Sequence, residues 1–366
     1  MAAGTLAPVF IVGTGRCGST LLSRFLAMHP DVLSLSELWV FATDLGGRIE
    51  ATFPDGDIGG ERLWQILTGI HPRQTLMLRH DVMMDEALYR PGPGRRFTAA
   101  TGIPAILATT LPHLSDDPDA LFDEVGAIAR ALPPVPIGQA YAALFDRMRD
   151  RQGARMWVER SGGSLRLVRR LRLHFPNARF VHLVRDGRDT ALSMSRHYGF
   201  RMALANAAMT EILGADPYES ADRTWECDLP DELLAYLPER FDADWFRRDS
   251  TALPLCGHYW AGEIRAGLED LAGLPDGHLL TLLYEDLLRA PAATLDRFFR
   301  FLMRGDPGID VERLAAMVRR PNADWRMLRA DEAAALDHAC RPGFEALAAS
   351  VPGWGNTSEA AACGLP

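Results

Sequence analysis

The clearest pattern along the chain is an apolar run that ends in a polar, glycine-bearing turn and resumes with helical spacing. In PVFIVGTGRCGSTLLSRFLAMH, residues 8–29, PVFIVG has the unbroken apolar character of a buried strand, TGRCG is the turn and STLLSRFLAMH is the helix. The order recurs in ARFVHLVRDGRDTALSMSRH, with RFVHLV as strand and DTALSMSRH as the start of a helix. HLLTLLYEDLLR predicts a third strand, followed by a helix over Pro291 to Met303. Ahead of the second strand, SLRLVRRLRLHFP carries Leu165, Leu167, Val168, Leu171 and Leu173, a helical face predicted to cover the sheet until Pro176 ends it. Strands alternating with helices imply an α/β protein, a central parallel β-sheet flanked by helices, with ligands at the carboxyl ends of the strands.

Two stretches break the alternation. Residues 45–155 hold proline and glycine clusters (RPGPGRR, LPPVPIG) and no strong strand, and residues 200–258 include the acidic run DPYESADRTWECDLPDELL. Both read as mainly helical insertions beside the strand ends, where a lid over an acceptor would sit. The expected organisation is one domain over residues 1–366, without internal repeats, carrying these two insertions.

Composition narrows the partners. The chain of 366 residues, 48% hydrophobic and 24% charged, suits a globular protein. A net charge of -9 argues against a general nucleic-acid binder, so anions must be held locally by arginines and backbone amides. No apolar run reaches the ~18 residues of a membrane span. The opening MAAGTLAP lacks the basic and long apolar parts of a secretory signal, so a cytoplasmic location is expected. Cys17, Cys227, Cys256, Cys340 and Cys363 are scattered without a C-x-x-C pair, which suits reduced thiols and predicts neither a disulfide framework nor a structural metal.

The first turn has the spacing of a phosphate loop at Gly13 and Gly18, yet Ser19 stands where a nucleoside-triphosphatase has lysine. Glycine-rich backbone entering a helix still forms an anion-binding nest, to which Ser19 and Thr20 add hydroxyls and Arg16 a forked guanidinium. In VRDGRDTALS, Arg185 ends the second strand and Ser193 follows eight residues on, so that the two can clasp another phosphate at the neighbouring strand end. The alternative is an Arg185–Asp186 surface ion pair.

Together the two motifs resemble those of the sulfotransferases that use 3′-phosphoadenylyl sulfate (PAPS), in the branch of the tyrosylprotein and bacterial enzymes. The resemblance covers residues 8–40, 155–200 and, more loosely, 258–303. It implies a P-loop NTPase-like sulfotransferase fold with helical lid insertions, PAPS as cosubstrate, 3′-phosphoadenosine 5′-phosphate (PAP) as product and no metal. It makes Arg16, Cys17, Gly18, Ser19 and Thr20 the 5′-phosphosulfate loop, Arg185 and Ser193 the 3′-phosphate clamp, and Tyr284 a neighbour of the adenine. MVRRPNADWR, with Arg319 or Arg320, is the candidate for a basic segment closing over the cosubstrate. The missing lysine then follows, because sulfuryl transfer needs no metal-bridged β- and γ-phosphates.

Sulfuryl transfer to a hydroxyl requires a base and a cation. Glu37, 21 residues after Arg16 and expected at the next strand end, matches the catalytic glutamate of the tyrosylprotein branch; a helix cap or exposed carboxylate is the alternative. Arg160 stands where those relatives carry a catalytic lysine. An arginine keeps the charge but gives up no proton, so Arg160 would act electrostatically, alongside Arg16. Ser161 and Ser164 are candidate sulfonate contacts, Glu159 a candidate partner for Arg160, and His80 beside Asp81 the rival base, with His113 behind it.

The acceptor expected first is a small molecule bearing a hydroxyl, with peptide tyrosine and sugar as alternatives. Trp39, Phe41, Trp64, Met77, Met83, Met84, Phe97, Phe122 and Tyr141 supply apolar surface for its pocket or for the lid's own core. A homodimer is an alternative to a monomer; neither nucleic acid nor a membrane is among the expected partners. Three other classes compete: a P-loop kinase, contradicted by Ser19; a nucleotide sensor, which needs neither Glu37 nor Arg160; and a dinucleotide-dependent oxidoreductase, which the Gly13, Gly15, Gly18 spacing permits but which leaves RDGRDTALS unexplained.

Overall fold

The computed structural model describes residues 6–220, 229–320 and 324–354. Among them the chain forms β1 (Val9–Val12), β2 (Val32–Ser36), β3 (Asp57–Ile58), β4 (Val135–Pro136), β5 (Met156–Arg160), β6 (Arg179–Val184) and β7 (Leu279–Leu283). Five of these make one sheet in the order β2-β5-β1-β6-β7, every pair parallel, and β3 and β4 make a short antiparallel ribbon. The central α/β architecture with a parallel sheet is therefore present.

β1, β2, β5 and β6 are buried at every position, as expected for strands covered on both faces; β1 is accordingly a continuous apolar run, while β2, β5 and β6 carry buried polar residues among their apolar ones. Successive side chains still alternate between the faces. Phe10 packs with Trp157, Phe175 and Phe180 at ring separations of 5.6, 5.0 and 5.7 Å on one side. Val9 and Ile11 belong to the core on the other side, with Phe25, Phe298 and Phe299. The predicted helical face is realised as a 3-10 turn at Ser164–Leu167 and a helix at Val168–His174. Leu165, Leu167, Val168 and Leu171 are buried there, whereas Leu173 is 69% exposed: it lies outside the stripe, which is narrower than the run of leucines suggested.

The insertions are helical. The first includes Gly60–Leu67, Pro72–Arg79, Pro118–Arg130 and Ile137–Gln152, interrupted by the β3–β4 ribbon. The second includes Tyr198–Leu213, Ala243–Arg248 and the start of Leu253–Leu271. Most of the lid aromatics pack on one another: Trp64 meets Phe122 at 4.8 Å, and Phe97 meets Phe122 at 5.4 Å. Among the described residues no helix is long and apolar enough to cross a membrane. Cys17, Cys256 and Cys340 are buried and form no disulfide among the described residues; Cys227 and Cys363 lie outside the described residues.

Candidate active site

The phosphate-loop turn follows β1 and enters the helix Ser19–Ala27. It needs left-handed backbone at Gly15 (φ 81°), Arg16 (φ 55°) and Gly18 (φ 89°). At Gly18 the need for glycine is double, because a Cβ would run into the Tyr284 ring. The turn thus brings backbone amides and the helix N-terminus to one point, a fit for an anion. Ser19 and Thr20 line the adjoining cavity of about 730 Å³; Cys17 does not, its thiol being turned into the core. Burial raises the Cys17 thiol above its ordinary pKa, so this residue offers the site its backbone only.

Glu37 terminates β2 in left-handed backbone (φ 55°), and Arg160 is the last residue of β5. These strands are neighbours, with Ser36 paired to Arg160, so the two side chains meet. Arg160 Nη1 donates to Glu37 Oε1, Arg160 Nη2 donates to Ser36 Oγ at 2.7 Å, and Gly162 N–H donates to Glu37 Oε2 at 2.7 Å. Glu37 and Arg160 are 3% and 2% exposed. Burial pushes the Glu37 carboxyl above the ordinary range, with the charge of Glu86 adding to it, against the opposing pull of Arg160.

Glu159 does not pair with Arg160. Adjacent strand residues face opposite ways, and Glu159 instead accepts from Ser161 Oγ at 2.5 Å. Burial lifts its pKa to about 8, which keeps it neutral at pH 7. Ser161 also accepts from Trp39 N–H at 2.9 Å, and Ser164 donates to Ser161 O at 2.8 Å; both serines line the cavity.

At the other strand end, Arg185 follows β6. Its Nη1 donates to Arg16 O at 3.1 Å, and its guanidinium lies 5.0 Å from the centroid of the Tyr284 ring. Its buried Nε has no hydrogen-bond partner, so the side chain retains an unspent donor. Asp186 pairs with Arg188, not Arg185, and caps the helix Gly187–Ser195. Arg16 turns toward this end too: Nε donates to Ser193 Oγ at 3.1 Å and Nη1 to Glu86 at 2.7 Å. Tyr284 is buried beneath Arg185 and behind Gly18, outside the cavity lining.

The strand ends thus bring Arg16, Ser19, Thr20, Glu37, Arg185 and Ser193 around one cavity, with Arg160 directly behind Glu37. They do not bring His80, an exposed residue that meets Phe241 at the end of Pro72–Arg79. Nor do they bring His113, which contacts Ser34 at 3.2 Å and which burial holds down at about 4. Arg319 and Arg320 are exposed away from the cavity; Trp325, in the same candidate closing segment, accepts the Arg188 guanidinium over its ring and donates its backbone N–H to Asp189 at 3.0 Å. Residues 321–323 lie outside the described residues.

Sequence reasoning missed Glu86 and His197. Glu86 accepts from Arg16 through one oxygen and contacts His197 Nε2 at 2.7 Å through the other. His197 Nδ1 accepts the Phe200 N–H at 3.3 Å as the cap of Tyr198–Leu213, which leaves Nε2 as the donor to Glu86 in the neutral ring. Burial alone would raise the Glu86 carboxyl; the hydrogen bond from His197 and the charge of Arg16 outweigh it and hold it well below the usual range. One carboxylate therefore ties the first insertion to the phosphate loop and to the second insertion. The only available signal was the position of His197, four residues beyond Ser193.

Among the described residues no group of three or more histidines, cysteines and carboxylates is arranged to hold a metal. The model of the sulfotransferase family matches residues 8–241. None of the curated proteins matches the chain. Among solved structures, the sulfotransferase domain of the curacin biosynthetic pathway is 16% identical, with all of both chains covered and a TM-score of 0.43. A sulfotransferase from Alicyclobacillus acidocaldarius is 18% identical, covering 95% of this chain and 96% of that one, at a TM-score of 0.39. One from Mycobacterium avium is 15% identical, covering 95% and 77%, at 0.41.

Proposed function

The chain belongs to the sulfotransferase family, and on that premise we propose that it transfers the sulfuryl group of PAPS to a hydroxyl of a small-molecule acceptor. The observation that carries the reading is the buried Glu37–Arg160 pair, held by neighbouring strand ends at the wall of the cavity that the phosphate loop opens into. Glu37 takes the acceptor's proton as the acceptor oxygen bonds to sulfur and the bond from sulfur to the bridging phosphate oxygen breaks, leaving PAP. A carboxyl raised above its ordinary range by burial is a better base than a surface glutamate, and the facing guanidinium favours its ionised form. Arg160 is fixed by Glu37 and Ser36, so it supplies positive charge without giving up a proton.

The donor's anionic groups are assigned to the loop amides with Ser19 and Thr20, and to Arg185 with Ser193. The unspent Nε of Arg185 suits a phosphate oxygen there. Arg16 joins the two groups through its bond to Ser193. Tyr284 and the segment at Trp325 flank the same end and are assigned to the nucleoside.

Calorimetric titration with PAP in EDTA, beside ATP and NAD, tests the donor. Metal-independent binding that Arg185→Ala weakens at least tenfold, about 1.4 kcal/mol, is expected. Glu37→Gln should keep PAP affinity and lose sulfuryl transfer. Binding of ATP or NAD without PAP refutes the proposal.

A further inference from the structure

The cavity extends well beyond the strand ends. One wall is the helix Tyr198–Leu213, which presents Phe200, Ala203, Leu204, Ala207, Thr210 and Glu211, a stripe at helical spacing. It starts against the phosphate loop, where Phe200 packs on Gly15, and at ~1.5 Å per residue reaches Glu211 ~16 Å further on. The facing wall runs outward from Glu37 through Trp39, Val40 and Leu45. Two alanines at the middle of the stripe leave the trough open, and its midsection is apolar.

The far end is of opposite character: it is rich in hydrogen-bond acceptors. Asn206 is 4% exposed and lines the cavity. Its Nδ2 donates to Asp216 at 3.1 Å, which fixes the amide orientation and leaves Oδ1 buried without a partner. Asp216 and Glu211 line the same end, and Glu211 has no ion-pair partner among the described residues. The nearby cation, Arg73, is already held by Asp44 at 2.7 Å, with Asp216 at 3.7 Å. Asp44 and Asp216 thus share the Arg73 guanidinium, and Arg166, another cation of the lining, is held by Glu263 at 2.9 Å, so that Glu211 adds negative charge to a cavity that also holds an unused carbonyl.

Resting on the sulfotransferase reading above, we propose that the acceptor is an elongated alcohol with an apolar body and an amine at its far end. The hydroxyl points to Glu37, the body lies along Ala203 and Ala207, and the ammonium donates to Asn206 Oδ1 with Asp216 and Glu211 balancing its charge. An anionic tail would meet Asp216, Glu211 and the Asn206 carbonyl, with Arg73 and Arg166 already held by Asp44 and Glu263, and is disfavoured.

The test uses the full chain, PAPS and matched series of medium-chain ω-amino alcohols, 1-alkanols and ω-hydroxy carboxylates, reading PAP release. The amino alcohols should exceed both other series in kcat/KM by roughly ten- to a hundredfold, the range of a charge-assisted hydrogen bond. Asn206→Leu and Glu211→Gln should each reduce that ratio, chiefly through KM, with PAP affinity reporting an intact fold. Ala207→Trp should discriminate by length, losing long acceptors before short ones. Equal or reversed preference, a ratio that survives both substitutions, or no turnover of any series by protein that binds PAP overturns the inference. Failure to bind PAP overturns the underlying sulfotransferase reading instead.

Discussion

Replacing Arg160 by leucine removes one member of an ion pair that is almost wholly buried. The carboxylate of Glu37 then keeps only the Gly162 N–H, and Ser36 Oγ loses its donor. Breaking such a pair from one side costs about 3–5 kcal/mol, because the surviving charge is left without compensation. Glu37 escapes part of that by taking a proton. Its folded pKa, already raised by burial, rises further without Arg160, while in the unfolded chain it stays at the ordinary value. The folded state therefore holds a proton that the unfolded state has released. Stability of the variant falls as pH rises from the unfolded pKa, by up to ~1.4 kcal/mol per pH unit, and levels off above the folded pKa. Urea unfolding of the wild type, Arg160→Leu, Glu37→Leu and the double variant at several pH values reads this directly. The double variant, which leaves no buried charge, should recover most of the loss. A deficit below ~1 kcal/mol at neutral pH, or one that does not change with pH, refutes the account of the pair as mutually dependent.

Glu86→Gln should move the acid limb of kcat/KM to lower pH, because the Glu86 charge helps hold the Glu37 carboxyl up and its removal lets the base ionise more readily. An unmoved limb or one displaced to higher pH would contradict that coupling, and the profile of the variant against the wild type decides it. Gly18→Ala should weaken PAP binding by calorimetry, since alanine in left-handed backbone costs about 1–2 kcal/mol and its Cβ meets Tyr284. Adding Tyr284→Ala removes the collision but leaves the backbone strain, so affinity should return only in part.

The strand-turn-helix units were legible because their signals are local. β1 is an uninterrupted apolar run and β6 a mainly apolar one, and the glycines of the first turn mark positions where left-handed backbone is required. Glu37 was also readable at a strand end, whereas its contact with Arg160 depends on β2 lying beside β5, a pairing across more than a hundred residues that no periodicity encodes. Arg16 shows the limit from the other direction. Its place in the turn suggested that it faces the loop's own anion, yet a left-handed φ turns it toward Ser193 and Glu86. Glu86 and Asn206 come from the insertions and His197 caps the helix that opens the second, and the partners of these buried polar side chains are set by tertiary packing that no periodicity encodes. Of the lid's apolar residues, Trp39 and Met84 reach the cavity and Trp64, Phe122 and Tyr141 fill the core.

Glu37, Arg160, the phosphate loop and Arg185 all stand on the ends of β2, β5, β1 and β6, which are adjacent in the sheet, while the outer trough is lined largely by one helix of an insertion. The alanines and polar tip of that helix belong to no strand and to no part of the reacting pair. Selection acting on residues 203–211 therefore has a route to new acceptors that does not pass through loss of the donor site, and a library confined to that helix would search acceptor range while the strand ends stay as they are.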